Sequence, residues 1–230
     1  MNILEIKNLY KSFDNKEIIK DVSFSVGEGK IVGLLGKNGC GKTTILKMIT
    51  NLLTVDSGEV VICGQKVSSK TNSLVSFLPE RTYLDSSQKV FQIFDFFEEF
   101  YSDFDRKRAE ELLVDLDLDI NASLSKMSKG MKEKIQLILV MSRHAKLYIL
   151  DEPLGGVDPS TRDYILKTIL SNLREGSSLL ITTHLISDVE KILDEVVFID
   201  KGQVLLHEEA DKLRDRNNAS IDEVFRRMVK

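Results

Sequence analysis

The stretch GLLGKNGCGKTTI, residues 33–45, constrains the fold more than any other part of the chain. Gly36, Gly41, Lys42 and Thr43 fall on the pattern G-x-x-x-x-G-K-[ST]. An apolar run, IVGLLG at 31–36, precedes the loop and reads as a buried central strand. Helical spacing follows in TTILKMITNLL at 43–53. Strand, glycine loop and helix together make a phosphate cradle. The glycines let the backbone curl and aim N–H groups inward, and the helix start adds its positive dipole end. Lys42 is placed to neutralise β- and γ-phosphate charge, and the Thr43 hydroxyl to ligate Mg²⁺. Asn38, Gly39, Cys40 and Thr44 complete the loop as nucleotide contacts. With glycine near ~7% of residues, a chance match in a chain this long is about one in a hundred. The cradle alone fits a kinase, a small GTPase, a helicase or a transport motor.

The remaining sequence narrows the choice. A chain of 230 residues buries a real core as one large domain or two small subdomains. Its net charge of −4 argues against a general nucleic-acid or anionic-membrane surface. No apolar run approaches the roughly 20 residues that span a bilayer, and the N-terminus lacks a signal-peptide apolar region. A cytosolic location is expected. Cys40 and Cys63 read as free thiols, with Cys40 a small filler within the loop rather than a redox sensor.

Strand patterns appear at ILEIKNLYKSF, at SFSV (23–26), at 31–36 and at EVVICGQKV (59–67), the last with a turn at Gly64-Gln65. They return at LYILDE (147–152), SLLITTH (178–184) and 195–208, a hairpin around Lys201-Gly202. Between them, 81–144 reads as a mostly helical insert, including helical spacing over 90–118 and a helix over 129–145. A further helix covers 161–173, and the charged stretch 212–230 reads as a solvated helix with a modest apolar face. DLDLD (115–119) lacks the glycine and final glutamate of a calcium loop and reads as a helix end. Alternating strands and helices predict an α/β fold with a largely parallel sheet.

LYILDEP (147–153) is an apolar strand ending in two acids. In phosphate-loop enzymes such an acid holds Mg²⁺, which points to Asp151. Glu152, one residue on, is placed to activate or orient the attacking water. His184 ends a strand at the edge where an open α/β sheet binds its ligand, and would donate a hydrogen bond to the γ-phosphate.

These motifs, with MSKGM (127–131), GGVD (155–158) and THLISDVE (183–190), resemble the ATP-binding subunits of ABC transporters over essentially the whole chain. The resemblance implies a P-loop NTPase of the ABC type: a RecA-like, mostly parallel sheet core with an antiparallel β region and an inserted helical subdomain. Residues 1–80 and 145–230 would form the nucleotide-binding core, and 81–144 the signature subdomain. It implies catalytic roles for Glu152, His184 and Lys42, and adenine stacking on Phe13. It places Ser128 and Gly130 in the signature motif and Asp158 in the D-loop. Mg²⁺ would be held by Thr43, Asp151 and Glu80, with ATP as the nucleotide. Two copies, identical or paralogous, would pair head to tail, each ATP lying between one phosphate loop and the other signature motif. A separate transmembrane permease would hold the pair on the inner face of the membrane. No nucleic-acid partner is expected.

The sequence departs from the family pattern in places. FLPERTYL (77–84) carries Glu80 where the family usually has glutamine. A carboxylate is also a hard-metal ligand, with an added negative charge. An L-P-E version resembles the branch associated with drug, antibiotic and sodium efflux, which implies export. Lys129 and Met131 replace a glycine and a glutamine of the signature, with Lys129 read as solvated, and Gly155 replaces a serine or threonine. A soluble relative acting on DNA or ribosomes is the competing reading; such relatives carry coiled-coil inserts, zinc sites or two cassettes, which this sequence lacks.

Overall fold

The structure, a computed structural model, describes residues 1–229. The alternating N-terminal segment forms β1 (Asn2–Phe13), paired antiparallel with β2 (Lys16–Gly27). The turn between them, Asp14-Asn15, takes φ of 47° and 64°, which Asp and Asn tolerate better than other side chains. The expected strand at 23–26 is therefore only the end of a longer one. β3 (Ile31–Leu35) feeds the phosphate loop and α1 (Lys42–Ile49). β4 (Ser57–Ile62) and β5 (Gln65–Lys66) complete an antiparallel sheet in the order β2-β1-β4-β5. Their turn is Cys63-Gly64, one residue before the expected position. Cys63 and Gly64 take φ of 48° and 75°, the pair of positive values a two-residue hairpin turn requires.

The second sheet collects strands from far apart in the chain. Its members are β6 (Val75–Leu78), β7 (Leu147–Asp151), β8 (Ser178–Thr183), β9 (Glu195–Asp200) and β10 (Gln203–Glu209), with β3. The order is β10-β9-β3-β8-β7-β6, parallel throughout except for the edge strand β10. β6 was not expected from the sequence. Four residues with a serine among them give no readable period, and only pairing with β7 makes them a strand. The Ser76 hydroxyl donates to the Val140 carbonyl at 2.8 Å.

The continuous apolar strands serve two cores by alternation. Leu147, Ile149, Leu180 and Val197 pack with α1 and the antiparallel sheet. Tyr148, Leu150, Leu179, Ile181 and Phe198 pack on the opposite face with the helices. A strand buried on both faces needs no polar alternate, which is why these read as unbroken apolar runs.

The stretch 81–144 holds α2 (Val90–Phe100), α3 (Arg106–Asp115) and α4 (Lys129–Met141). α2 and α3 are separate because Asp105 caps α3, accepting from the Arg108 amide at 3.0 Å. Phe94, Phe97 and Phe104 are buried against each other, whereas Phe96 and Phe100 are exposed and stacked 5.5 Å apart. α5 (Pro159–Asn172) and the short α6 (Ile186–Val189) follow β7 and β8. The C-terminal stretch is two helices, α7 (Ala210–Asn217) and α8 (Ile221–Met228), not one. Asn218 at φ 46° ends the first, and Ser220 with Glu223 forms a capping box for the second. The apolar face of α8 is packed inward: Ile221, Val224 and Phe225 are buried, and the Phe225 ring meets Phe198 edge-on at 5.2 Å. No helix among the described residues is long and apolar enough to cross a membrane.

Candidate active site

The C-terminal ends of β3, β7 and β8 lie side by side, so the loops that follow them converge on one place. After β3 comes the phosphate loop. Gly41 sits at φ 112° as the N-cap of α1, and a Cβ there would stand 2.5 Å from Ile19 Cδ1. At Gly36 a Cβ would stand 2.5 Å from both Cys40 Sγ and the Ile199 carbonyl oxygen. Glycine is thus required twice, by close approach and by backbone conformation. The back of the loop is tied to the β9–β10 turn, where Gly202 N donates to the Cys40 carbonyl at 3.0 Å.

Lys42 is 6% exposed, and its ammonium donates to the loop's own carbonyls, Gly36 at 2.8 Å and Lys37 at 3.3 Å. Thr43 Oγ1 donates to Asp151 Oδ2 at 2.9 Å, and Thr182 Oγ1 to Asp151 Oδ1 at 2.7 Å. Burial pushes the Asp151 carboxyl above its usual range. The two hydroxyl donors oppose that rise, and the charges of Glu80 and Glu152 add to it.

Glu152 occupies a left-handed backbone conformation, φ 51°, uncommon for a glutamate and costly unless the surroundings enforce it. Its amide donates to the Thr182 carbonyl at 3.1 Å, which anchors the bend. Its Oε2 accepts from the His184 amide at 3.2 Å and lies 2.9 Å from His184 Nδ1. Its Oε1 is 3.3 Å from Lys42 Nζ but lacks hydrogen-bond geometry, leaving a buried oxygen without such a partner. Glu80, Lys129, Gln136, Asp151, Glu152 and His184 all line one cavity of about 650 Å³. A second cavity, about 820 Å³, reaches from Thr43, Glu80 and Asp151 to Phe97, Tyr101 and Arg143.

Other expected residues lie apart from this cluster, except Lys129, which lines its cavity. Ser128 caps α4, accepting from the Met131 amide at 3.2 Å, and neither it nor Gly130 lines the 650 Å³ cavity. Lys129 is mostly exposed and stands 3.6 Å from Glu133. Asp158 caps α5, its Oδ1 accepting from the Thr161 amide at 3.1 Å. Phe13 is 45% exposed at the end of β1, with Lys11 Nζ 5.5 Å from its ring centre. Cys40 is buried, and burial raises its thiol above the usual range. Cys63, less buried, should alkylate faster than Cys40 at neutral pH, as mass spectrometry after iodoacetamide would report. Preferential labelling of Cys40 would contradict its role as a buried filler.

Sequence reasoning missed Thr182 and Gln136. Thr182 follows the apolar residues 179–181 at the end of its strand, a signal that was available. Gln136 is 2% exposed within the apolar face of α4, and its Nε2 has no partner among the described residues.

The residues suit a nucleoside triphosphate with a divalent cation. The cradle is shaped by positions that a Cβ would fill, the hydrogen bonds of Lys42 go to carbonyls that phosphate oxygens can replace, and Thr43 and Asp151 are hard oxygen ligands. Fold and site thus define a P-loop nucleotide-binding ATPase. The family model described as ABC transporter matches residues 19–155, and the chain belongs to that family as an ATP-binding, ATP-hydrolysing subunit. It is 31% identical over 211 residues to the linearmycin resistance ATP-binding protein LnrL of Bacillus subtilis (strain 168), covering 88% of this chain and 68% of that one. It is 30% identical over 209 residues to the Nod factor export ATP-binding protein I of Burkholderia orbicola (strain AU 1054), covering 87% and 68%. A solved ATP-binding subunit of an ABC transporter superposes with TM-score 0.90 at 26% identity, covering 99% of this chain and 100% of that one. Subunits of this family generally work as dimers with transmembrane partners.

Proposed function

We propose that this chain powers export through a separate membrane subunit, working as a head-to-tail pair on the inner face of the membrane. In this reading 1–80 with 145–230 is the nucleotide-binding core, and 81–144 the signature subdomain. The observation that carries the pairing is the separation within one chain. Lys42 meets Glu152, and Asp151, Glu152 and His184 share a cavity that Lys129 also lines, while Ser128 and Gly130 do not line it. A second copy, or a paralogue, would bring its signature motif to the open side. The relatives named for linearmycin resistance and Nod factor export favour efflux of a drug-like, antibiotic, lipid-like or ionic substrate. The larger cavity beside the α2 aromatics is suited to a cytoplasmic helix of the permease. The net charge of −4 weighs against nucleic acid as a partner.

Lys42 would exchange the Gly36 and Lys37 carbonyls for phosphate oxygens. Asn38, Gly39, Cys40, Gly41 and Thr44 would line the phosphates, and Phe13 would stack on adenine. Thr43, Asp151 and Glu80 would hold Mg²⁺, which when bound shields phosphate charge. Thr182 would keep the Asp151 carboxylate in place. Glu152 would orient the attacking water and take its proton. His184 would contact the γ-phosphate from the β8 side, and Asp158 would sit at the interface.

Mixing two inactive variants tests the shared site. Lys42→Ala spoils one phosphate loop and Ser128→Arg spoils one signature. A mixed head-to-tail pair places both lesions in one site and leaves the other intact. The mixture should hydrolyse ATP well above the sum of the separate variants. Activity no greater than that sum would refute the shared site.

A further inference from the structure

The turn at 155–158 and the loop holding His184 belong to different crossings of the sheet, yet polar contacts join them in a closed circuit. Glu152 Oε2 accepts from the His184 amide and lies 2.9 Å from the ring nitrogen. Next along the chain, the Leu185 amide donates to Thr183 Oγ1 at 2.9 Å, bending it into α6. From α6, Asp188 Oδ2 accepts from Arg162 Nη1 at 2.8 Å. Arg162 Nε donates to the Val157 carbonyl at 3.2 Å. Val157 leads back through the turn to Glu152, and its neighbour Asp158 caps the helix that carries Arg162. The side chains of Arg162 and Asp188 are 26% and 27% exposed, so the pair is partly withdrawn from water and salt. A guanidinium suits the place because its planar fork offers Nε and Nη1 in fixed geometry; a lysine has one nitrogen for two partners.

We infer that Arg162 is a positioning residue that couples the 155–158 turn to His184. A displacement of the turn is passed through Arg162 and Asp188 to α6, and so to the histidine on the catalytic carboxylate. The turn is the segment that would face the second subunit, so the circuit would let one site sense the other; this last step rests on the paired-site reading.

The test uses the purified full chain. Arg162→Met should lower kcat about tenfold, the size of a lost coupling contact. Affinity for a fluorescent ATP analogue should stay within about twofold, because the phosphate loop is untouched. Asp188→Asn should reproduce the loss, and the double variant should be no worse than either single one. Arg162→Lys, which keeps the charge, should recover part of kcat. Additive losses would overturn the inference, as would a lower melting temperature with kcat unchanged. Should Arg162→Met fail to fold, Asp188→Asn and Arg162→Lys decide by the same measurements. Gel filtration of the Glu152→Gln variant with saturating ATP and Mg²⁺ separates the two readings. A chain that stays monomeric overturns the paired site, while the kcat comparison still decides the role of Arg162.

Discussion

Glu152→Gln is expected to lower ATP hydrolysis by roughly a thousandfold, the range for losing a positioned general base, and to accumulate an ATP-bound dimer. The carboxylate is held in place by contacts at both oxygens. One oxygen is engaged by His184, and the other is buried without a hydrogen-bond partner 3.3 Å from Lys42. The amide keeps the shape and an acceptor for the His184 backbone, so nucleotide binding should survive. It removes the negative charge and the basicity, so the bound state should persist. Size-exclusion chromatography with saturating ATP and Mg²⁺ reports the dimer, and phosphate release reports the rate. A variant that remains monomeric, or that turns over like the wild type, would remove Glu152 from the role assigned to it.

Gly36→Ala should have the next largest effect. The added methyl would lie 2.5 Å from the Ile199 carbonyl oxygen, which belongs to the backbone of β9 and cannot rotate away. The phosphate loop would have to move instead. A shift near 1 Å in a positioning element costs on the order of a hundredfold in rate, so ATP hydrolysis should fall by about that factor, and affinity for a fluorescent nucleotide should fall with it. Overpacking should also cost ~1–3 kcal/mol of stability. Gly39→Ala is the informative control. Its Cβ would meet nothing within 4 Å, so only the strain of φ 78° remains, about 1 kcal/mol. Equal nucleotide affinity in Gly36→Ala and the wild type would show that the close approach does not govern binding.

The site was legible where its chemistry is local. Gly36 to Thr43, the pair Asp151-Glu152 and His184 each end or follow an apolar strand, and sequence order alone places such ends at one edge of a parallel sheet. Residues whose meaning depends on a distant partner were not. Thr182 matters because Asp151 stands beside it in the neighbouring strand, and Arg162 because Asp188 lies on another helix. β6 needed β7 to become a strand. The Cys63-Gly64 turn was misplaced by one residue because Gly64 was read as its first position rather than its second. The C-terminal helix break was written in Asn218 and in the Ser220–Glu223 box, signals a charge pattern conceals.

The position of β3 governs when this protein can come into being. Its two neighbours, β8 and β9, lie more than a hundred residues further along the chain. During synthesis the phosphate loop therefore emerges on a strand with both edges bare. At ribosomal speeds that interval lasts on the order of ten seconds. The antiparallel β1–β2–β4 unit can close early from neighbouring segments, but the nucleotide cradle cannot. A ribosome that stalls before residue 178 would leave a nascent chain carrying the complete phosphate-loop sequence with no sheet to hold it open.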